Sequence, residues 1–101
     1  MGILEEVQNA LTYYQKTAVD EKDILYLHNI YSQVYYILTV ENRPLSNDEF
    51  DKLLKALGIN DTTVLVQEYQ NMTDDQKKQL LMQILQMIEN VMRNIHAMVN
   101  Y

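Results

Sequence analysis

The sequence predicts an all-α fold, an antiparallel bundle of four main helices and one short helix. Only two glycines and one proline occur in 101 residues, so little interrupts a helix. Apolar residues recur every three or four positions through long segments, and the strict alternation of a half-buried strand is absent. A chain of this length forms one domain, residues 1–101. Short connections make consecutive helices antiparallel neighbours.

The first half of the chain predicts two amphipathic helices. The first covers residues 3–18, and the run VDEKD, in which Asp20 can cap a new helix, separates it from the second at 21–40. The tyrosine-rich stretch YLHNIYSQVYYILTV therefore belongs to a helix. At about 100° per residue, its core-facing side is a wide arc of Ile24, Leu27, Ile30, Tyr31, Val34, Ile37 and Leu38.

Boundary signals define the third helix, at 47–57. Pro44 ends the second helix, and Ser46 with Glu49 predicts a capping box. Gly58 is placed as the left-handed residue that ends the third helix. A short helix near 62–70 follows, although its β-branched residues favour a helix only weakly.

The last helix, at 74–99, is predicted to be the element on which the others pack. Thr73 and Gln76 form a second capping box before it. Its apolar seam is widened by flanking residues such as Met87 and Met92, so it should face two or more neighbours. The seam itself consists of Leu81, Ile84, Ile88, Val91, Ile95 and Met98.

Composition excludes several classes of protein. The absence of cysteine excludes a disulfide scaffold and thiolate zinc sites. No run of 18 apolar residues and no signal peptide occur, so we expect a cytoplasmic protein without a transmembrane segment. The net charge of −6, without a basic patch, argues against direct nucleic-acid binding.

The side chains give little basis for catalysis. His28 and His96 lie at helix edges, and no metal-binding motif accompanies them, so we expect no metal, cofactor or catalytic residues. The acidic residues at 20–23 and 48–51 lie in first helical turns, where the helix dipole accounts for them. The chain is therefore expected not to be an enzyme.

Tyrosine is the unusual residue, with eight copies against one phenylalanine. Tyr14, Tyr31 and Tyr35 are expected to close the margins of the core, whereas Tyr13, Tyr26 and Tyr36 point away from it. Outward tyrosines often form the centres of protein interfaces. The predicted interface on the second helix is a strip of Leu25, Asn29, Ser32 and Tyr36, with Tyr26 beside it.

In its size, helical layout, lack of cysteine and Tyr/Leu-rich second helix, the chain resembles the small helical-bundle bacteriocin immunity proteins of Gram-positive bacteria. Its bias towards Asn, Gln, Ile and Tyr would suit such a genome. The resemblance covers the architecture of the whole chain, not a motif. It implies a protein that engages a bacteriocin–receptor complex at the inner membrane face, with residues 74–101 reading which bacteriocin is present.

Three further functions stay open at the level of sequence. A phage- or plasmid-borne inhibitor of a host protein would show the same features, as would a homodimeric assembly protein, such as a phage morphogenesis factor, that buries the strip against its own copy. An acidic decoy could also occupy the DNA-binding site of a basic protein, and salt-sensitive binding would be its mark.

Overall fold

The computed structural model describes residues 2–99, and every regular element in that range is an α-helix. Asn100 and Tyr101, part of the expected specificity region 74–101, lie outside the described residues, as does Met1. The predicted fold class is confirmed, and each helix boundary lies within one residue of its predicted position. The helices are α1 (Ile3–Thr17), α2 (Glu21–Thr39), α3 (Asn47–Ala56), α4 (Thr63–Gln70) and α5 (Asp74–Val99).

Side-chain caps fix the starts of three helices. At α3, the Ser46 hydroxyl accepts a hydrogen bond from the Glu49 backbone N–H, and the Glu49 carboxylate accepts one from the Ser46 N–H. Thr73 and Gln76 make the same reciprocal pair before α5. Asp20 caps α2, and the carboxylate of Asp23 completes a capping box there. Each box satisfies backbone N–H groups that have no partner within the helix.

The long helix α5 lies at the centre of the packing, as predicted. Its most extensive contacts are with α2 and then with α1, while α3 packs on α4. Helix α2 runs antiparallel to α5. The start of α5 lies near the end of α2, where the Lys78 ammonium donates a hydrogen bond to Asn42. The inward faces form a single cluster, and its α5 members are Leu80, Leu81, Ile84, Leu85, Ile88, Val91 and Ile95.

The predicted seam of α5 includes one residue too many. Met98 is 55% exposed, so the prediction that it belongs to the core is wrong. His96 lines the same cavity as Glu21, the first residue of α2, so the last turn of α5 reaches the end of α2 and has little of it left to contact. Met87 and Met92 are partly buried against the core, as predicted, and Met82 is exposed.

Tyr69 joins α4 to the rest of the bundle. Its ring stacks on Phe50 with 3.9 Å between ring centroids, and its hydroxyl donates to the Leu45 carbonyl at 2.7 Å. Burial is the main cause that raises the pKa of this hydroxyl above its usual value. The Asp61 carboxylate accepts the Thr63 N–H at the start of the helix, and the buried Thr62 hydroxyl donates to Asp51. The bonds from Tyr69 and Thr62 to other segments support a helix that its own sequence favours only weakly.

Gly58 ends α3 in the left-handed conformation, with φ of 103°. Its N–H donates to the Lys55 carbonyl, and the Ile59 N–H donates to Leu54. We expect Gly58→Ala to lower the free energy of unfolding by about 1–2 kcal/mol, because a Cβ is strained at this φ. A Cβ there would meet no atom within 4 Å, so the cost is that of the backbone alone.

Gly2 supplies the control for this prediction, since its φ is −99° and a Cβ there also meets nothing within 4 Å. Gly2→Ala should change the free energy of unfolding in urea by less than about 0.5 kcal/mol. Equal stability of the two variants would show that Gly58 is not needed for the turn.

Glu49 makes stability depend on pH. Its carboxylate accepts hydrogen bonds from Arg43 at 2.8 and 3.2 Å and from the Ser46 N–H, and these bonds lower its pKa to about 2. A depressed folded-state pKa contributes stability above the unfolded value of about 4.3, and this stability is lost as the pH falls towards 2. The contribution is at most about 1 kcal/mol, because a third of the side chain is exposed and solvent screens the pair.

Glu49→Gln isolates this effect, because other titrating groups are common to both proteins. Urea unfolding at neutral pH should show the variant less stable than the natural chain, and the difference should shrink as the pH falls from about 4.3 towards 2. A difference that stays constant with pH would contradict the assignment.

Candidate functional site

The α2 strip, defined as Leu25, Asn29, Ser32 and Tyr36, follows one face of α2. Their spacings of four, three and four keep them within about 60° around the helix axis. The opposite face carries the buried side chains Leu27, Val34 and Leu38. Since that face is fixed against the core, the α2 strip has a defined orientation towards solvent.

All four residues of the α2 strip are exposed. Leu25 is 56% exposed and Tyr36 is 54% exposed, so each keeps more than half of a large apolar side chain in water. Exposed apolar side chains are ordinary when scattered, but side chains aligned on one helix face can dock together in a groove of a partner. Asn29 and Ser32 place hydrogen-bonding groups between the two apolar ends.

Tyr26, the fifth residue of the predicted interface, is engaged elsewhere. It lies about 100° around the helix from Leu25. Its hydroxyl donates to the Ala56 carbonyl at 2.9 Å, and its ring stacks on Tyr14 with 6.1 Å between centroids. It is still 46% exposed, but it faces α1 and the end of α3. The structure therefore groups the other four residues and separates Tyr26 from them.

Two other tyrosines lie on a flank of α2. Tyr31 is partly buried, as predicted, and burial followed by the nearby Glu89 raises its pKa. Tyr35 stacks on Tyr31 with 5.9 Å between centroids but remains 46% exposed, so it closes the core margin less completely than predicted.

His28 and His96 line one shallow cavity between α2 and α5. The cavity of about 490 Å³ is also bordered by Glu21, Lys22 and Leu25. Leu25 thus connects the α2 strip to this cavity. Among residues 2–99, no group of three or more His, Asp or Glu side chains is arranged to hold a metal ion.

The acidic residues at helix starts take part in local structure. Asp20 and Asp23 cap α2, and Asp23 also accepts the Val19 N–H at 2.7 Å. These backbone bonds lower the pKa of Asp23. Asp51 pairs with Lys55 at 3.0 Å. This agrees with the interpretation of these acids as helix-start residues.

Sequence reasoning missed a groove between α1 and the α3–α4 connection. Its volume is about 820 Å³, and it is called the α1–α4 groove below. None of the α2 strip residues lines it. Sequence analysis identified Tyr13 as an outward tyrosine, but nothing local indicated that α4 would lie opposite it. The groove is bordered by Glu6, Tyr13, Tyr14, Tyr26, Asp61 and Val64.

Comparisons with protein-family models, curated proteins and solved structures give no match to this chain. The chain is a small all-helical globular protein, and within residues 2–99 every helix is too short or too polar to span a bilayer.

Proposed function

We propose that this chain is a non-enzymatic protein that docks on a partner protein through the α2 strip. The observation that carries the proposal is the alignment of exposed Leu25 and Tyr36 on one face of a helix whose other face is fixed in the core. Tyrosine at the end of such a strip supplies contact area and a hydrogen-bonding hydroxyl at a low cost in side-chain entropy.

The concrete form of the proposal is a bacteriocin-immunity-type or inhibitor protein that works in the cytoplasm. The all-helical layout and the tyrosine-rich α2 support this form. In that role the α2 strip would contact the partner, and contact at the inner membrane face would be peripheral, through the partner. The exposed face of α5 would contribute to specificity, with Met82 and Arg93 as accessible side chains.

The second candidate is a homodimeric assembly protein that buries the α2 strip against its own copy. The same exposed apolar residues favour it, because two copies of one helix face can pack on each other about a twofold axis. The candidates differ in stoichiometry. A partner-binding protein is a monomer when it is alone in solution. An assembly protein of this kind is a dimer, and charged substitutions in the α2 strip would convert it to monomers.

The immunity form can be tested in a bacteriocin-sensitive Gram-positive host. Expression of the natural chain should allow growth in the presence of at least one member of a bacteriocin panel. The double variant Leu25→Glu, Tyr36→Glu should accumulate to the same level and give no protection. Failure of the natural chain against the whole panel would contradict the immunity form. Protection by the double variant would contradict the role of the α2 strip.

A further inference from the structure

The α1–α4 groove has an apolar, aromatic lining. Tyr13 on α1 is 70% exposed and Val64 on α4 is 64% exposed, and both line the groove. The stacked pair of Tyr14 and Tyr26 forms an aromatic wall of the groove. A volume of about 820 Å³ is in the range of sites that bind ligands of substantial size.

The wall of the groove is held in place by two hydrogen bonds. The Tyr14 hydroxyl donates to the Asp23 carbonyl at 2.8 Å, and the Tyr26 hydroxyl donates to the Ala56 carbonyl at 2.9 Å. These bonds connect α1 to α2 and α2 to α3. The aromatic wall is therefore preorganised, which lowers the entropy lost when a ligand is bound.

The electrostatic character of the groove is negative. Its charged lining residues are Glu6 and Asp61, and no lysine, arginine or histidine of the described chain lines it. Burial, followed by the charge of Asp23 and by Tyr26, raises the pKa of Tyr14 to about 12. The faces of tyrosine rings also attract cations. Charge complementarity thus favours a positively charged ligand.

We propose that the α1–α4 groove binds a basic amphipathic segment of a partner protein. The apolar side chains of that segment would pack between Tyr13 and Val64, and its lysine or arginine side chains would approach Glu6 and Asp61. The groove is open to solvent, since Tyr13 and Val64 in its lining are both exposed, and an open groove suits an elongated segment better than a small molecule that needs an enclosed site. This site is separate from the α2 strip and does not depend on the function proposed for that strip.

The test uses a short amphipathic helical peptide made only of leucine and lysine, labelled for fluorescence anisotropy. The natural chain should bind it, and binding should weaken at high salt. An analogue with glutamate at every lysine position should not bind. Amide chemical shifts should change around Tyr13, Ala56 and Val64. Absence of binding, or shift changes centred on the α2 strip, would overturn the proposal.

Matched variants separate the groove from general charge attraction. Val64→Lys should weaken binding about fivefold to tenfold, because it places a positive charge beside those of the peptide. Val40→Lys adds the same charge at a valine that is equally exposed, at 63%, outside the groove, and should leave affinity within about twofold. Equal losses in the two variants would overturn the proposal.

A second pair of variants tests the groove independently, in case Val64→Lys affects folding. Glu6→Gln should weaken binding about threefold. Glu5→Gln removes the same charge from the same helical turn but lies outside the groove lining, and should have a smaller effect. Complete displacement of the peptide by a small diamine such as putrescine would overturn the assignment to a protein segment.

Discussion

Replacement of Ile88 by alanine is expected to lower the free energy of unfolding by about 2–5 kcal/mol. Ile88 is fully buried near the middle of α5, the helix that packs against both α2 and α1. The truncation removes apolar contacts and leaves a cavity that neighbouring helices can fill only partly. For a small domain, this loss is a large fraction of the total stability. Denaturant unfolding followed by circular dichroism measures it.

Met82→Ala is the control for Ile88→Ala. Met82 lies on the same helix and is 50% exposed, so its truncation should change stability by less than about 0.5 kcal/mol. Similar unfolding midpoints for Ile88→Ala and the natural chain would contradict the packing of α5 at the centre of the bundle.

The double variant Leu25→Glu, Tyr36→Glu is expected to keep its fold and to lose association with the partner. Both side chains are more than half exposed, so their replacement leaves the buried face of α2 intact. Two carboxylates placed at an interface must be desolvated on docking, and this cost is several kcal/mol for an unpaired charge. Immobilised natural chain should retain a protein from a Gram-positive lysate that the variant does not retain.

A charge-matched control is available in Val19→Glu, Gln67→Glu. Both residues are exposed and lie outside the α2 strip and the exposed face of α5, so this variant should retain the same protein as the natural chain. Loss of the helical circular dichroism signal in Leu25→Glu, Tyr36→Glu would instead show that the α2 strip is part of the core.

Local signals predicted most of the fold. Ser46 with Glu49, and Thr73 with Gln76, are recognisable because a capping box depends only on residues three positions apart. Gly58 could be assigned for the same reason, since a left-handed helix end favours glycine. The periodicity of α1 and α2 identified their buried faces, which also placed the α2 strip in solvent.

The features that sequence could not predict depend on contacts between distant segments. The buried position of Tyr69 requires Phe50 and the Leu45 carbonyl. The hydroxyl of Tyr26 donates to a carbonyl at Ala56, 30 residues away, which no local pattern could indicate. Met98 matches the helical period of the core-facing residues, but it lies where α5 extends beyond the end of α2. The α1–α4 groove depends on the position at which α4 packs, and no local sequence pattern determines that position.

The measurement that tests the central claim most directly is the solution mass of the natural chain and of Leu25→Glu, Tyr36→Glu, by light scattering after size-exclusion chromatography. Docking on a different protein predicts the mass of one chain in both samples, with the α2 strip free in the isolated protein. A natural dimer that becomes a folded monomer in the variant would contradict this account and assign the α2 strip to contact between two copies of the chain.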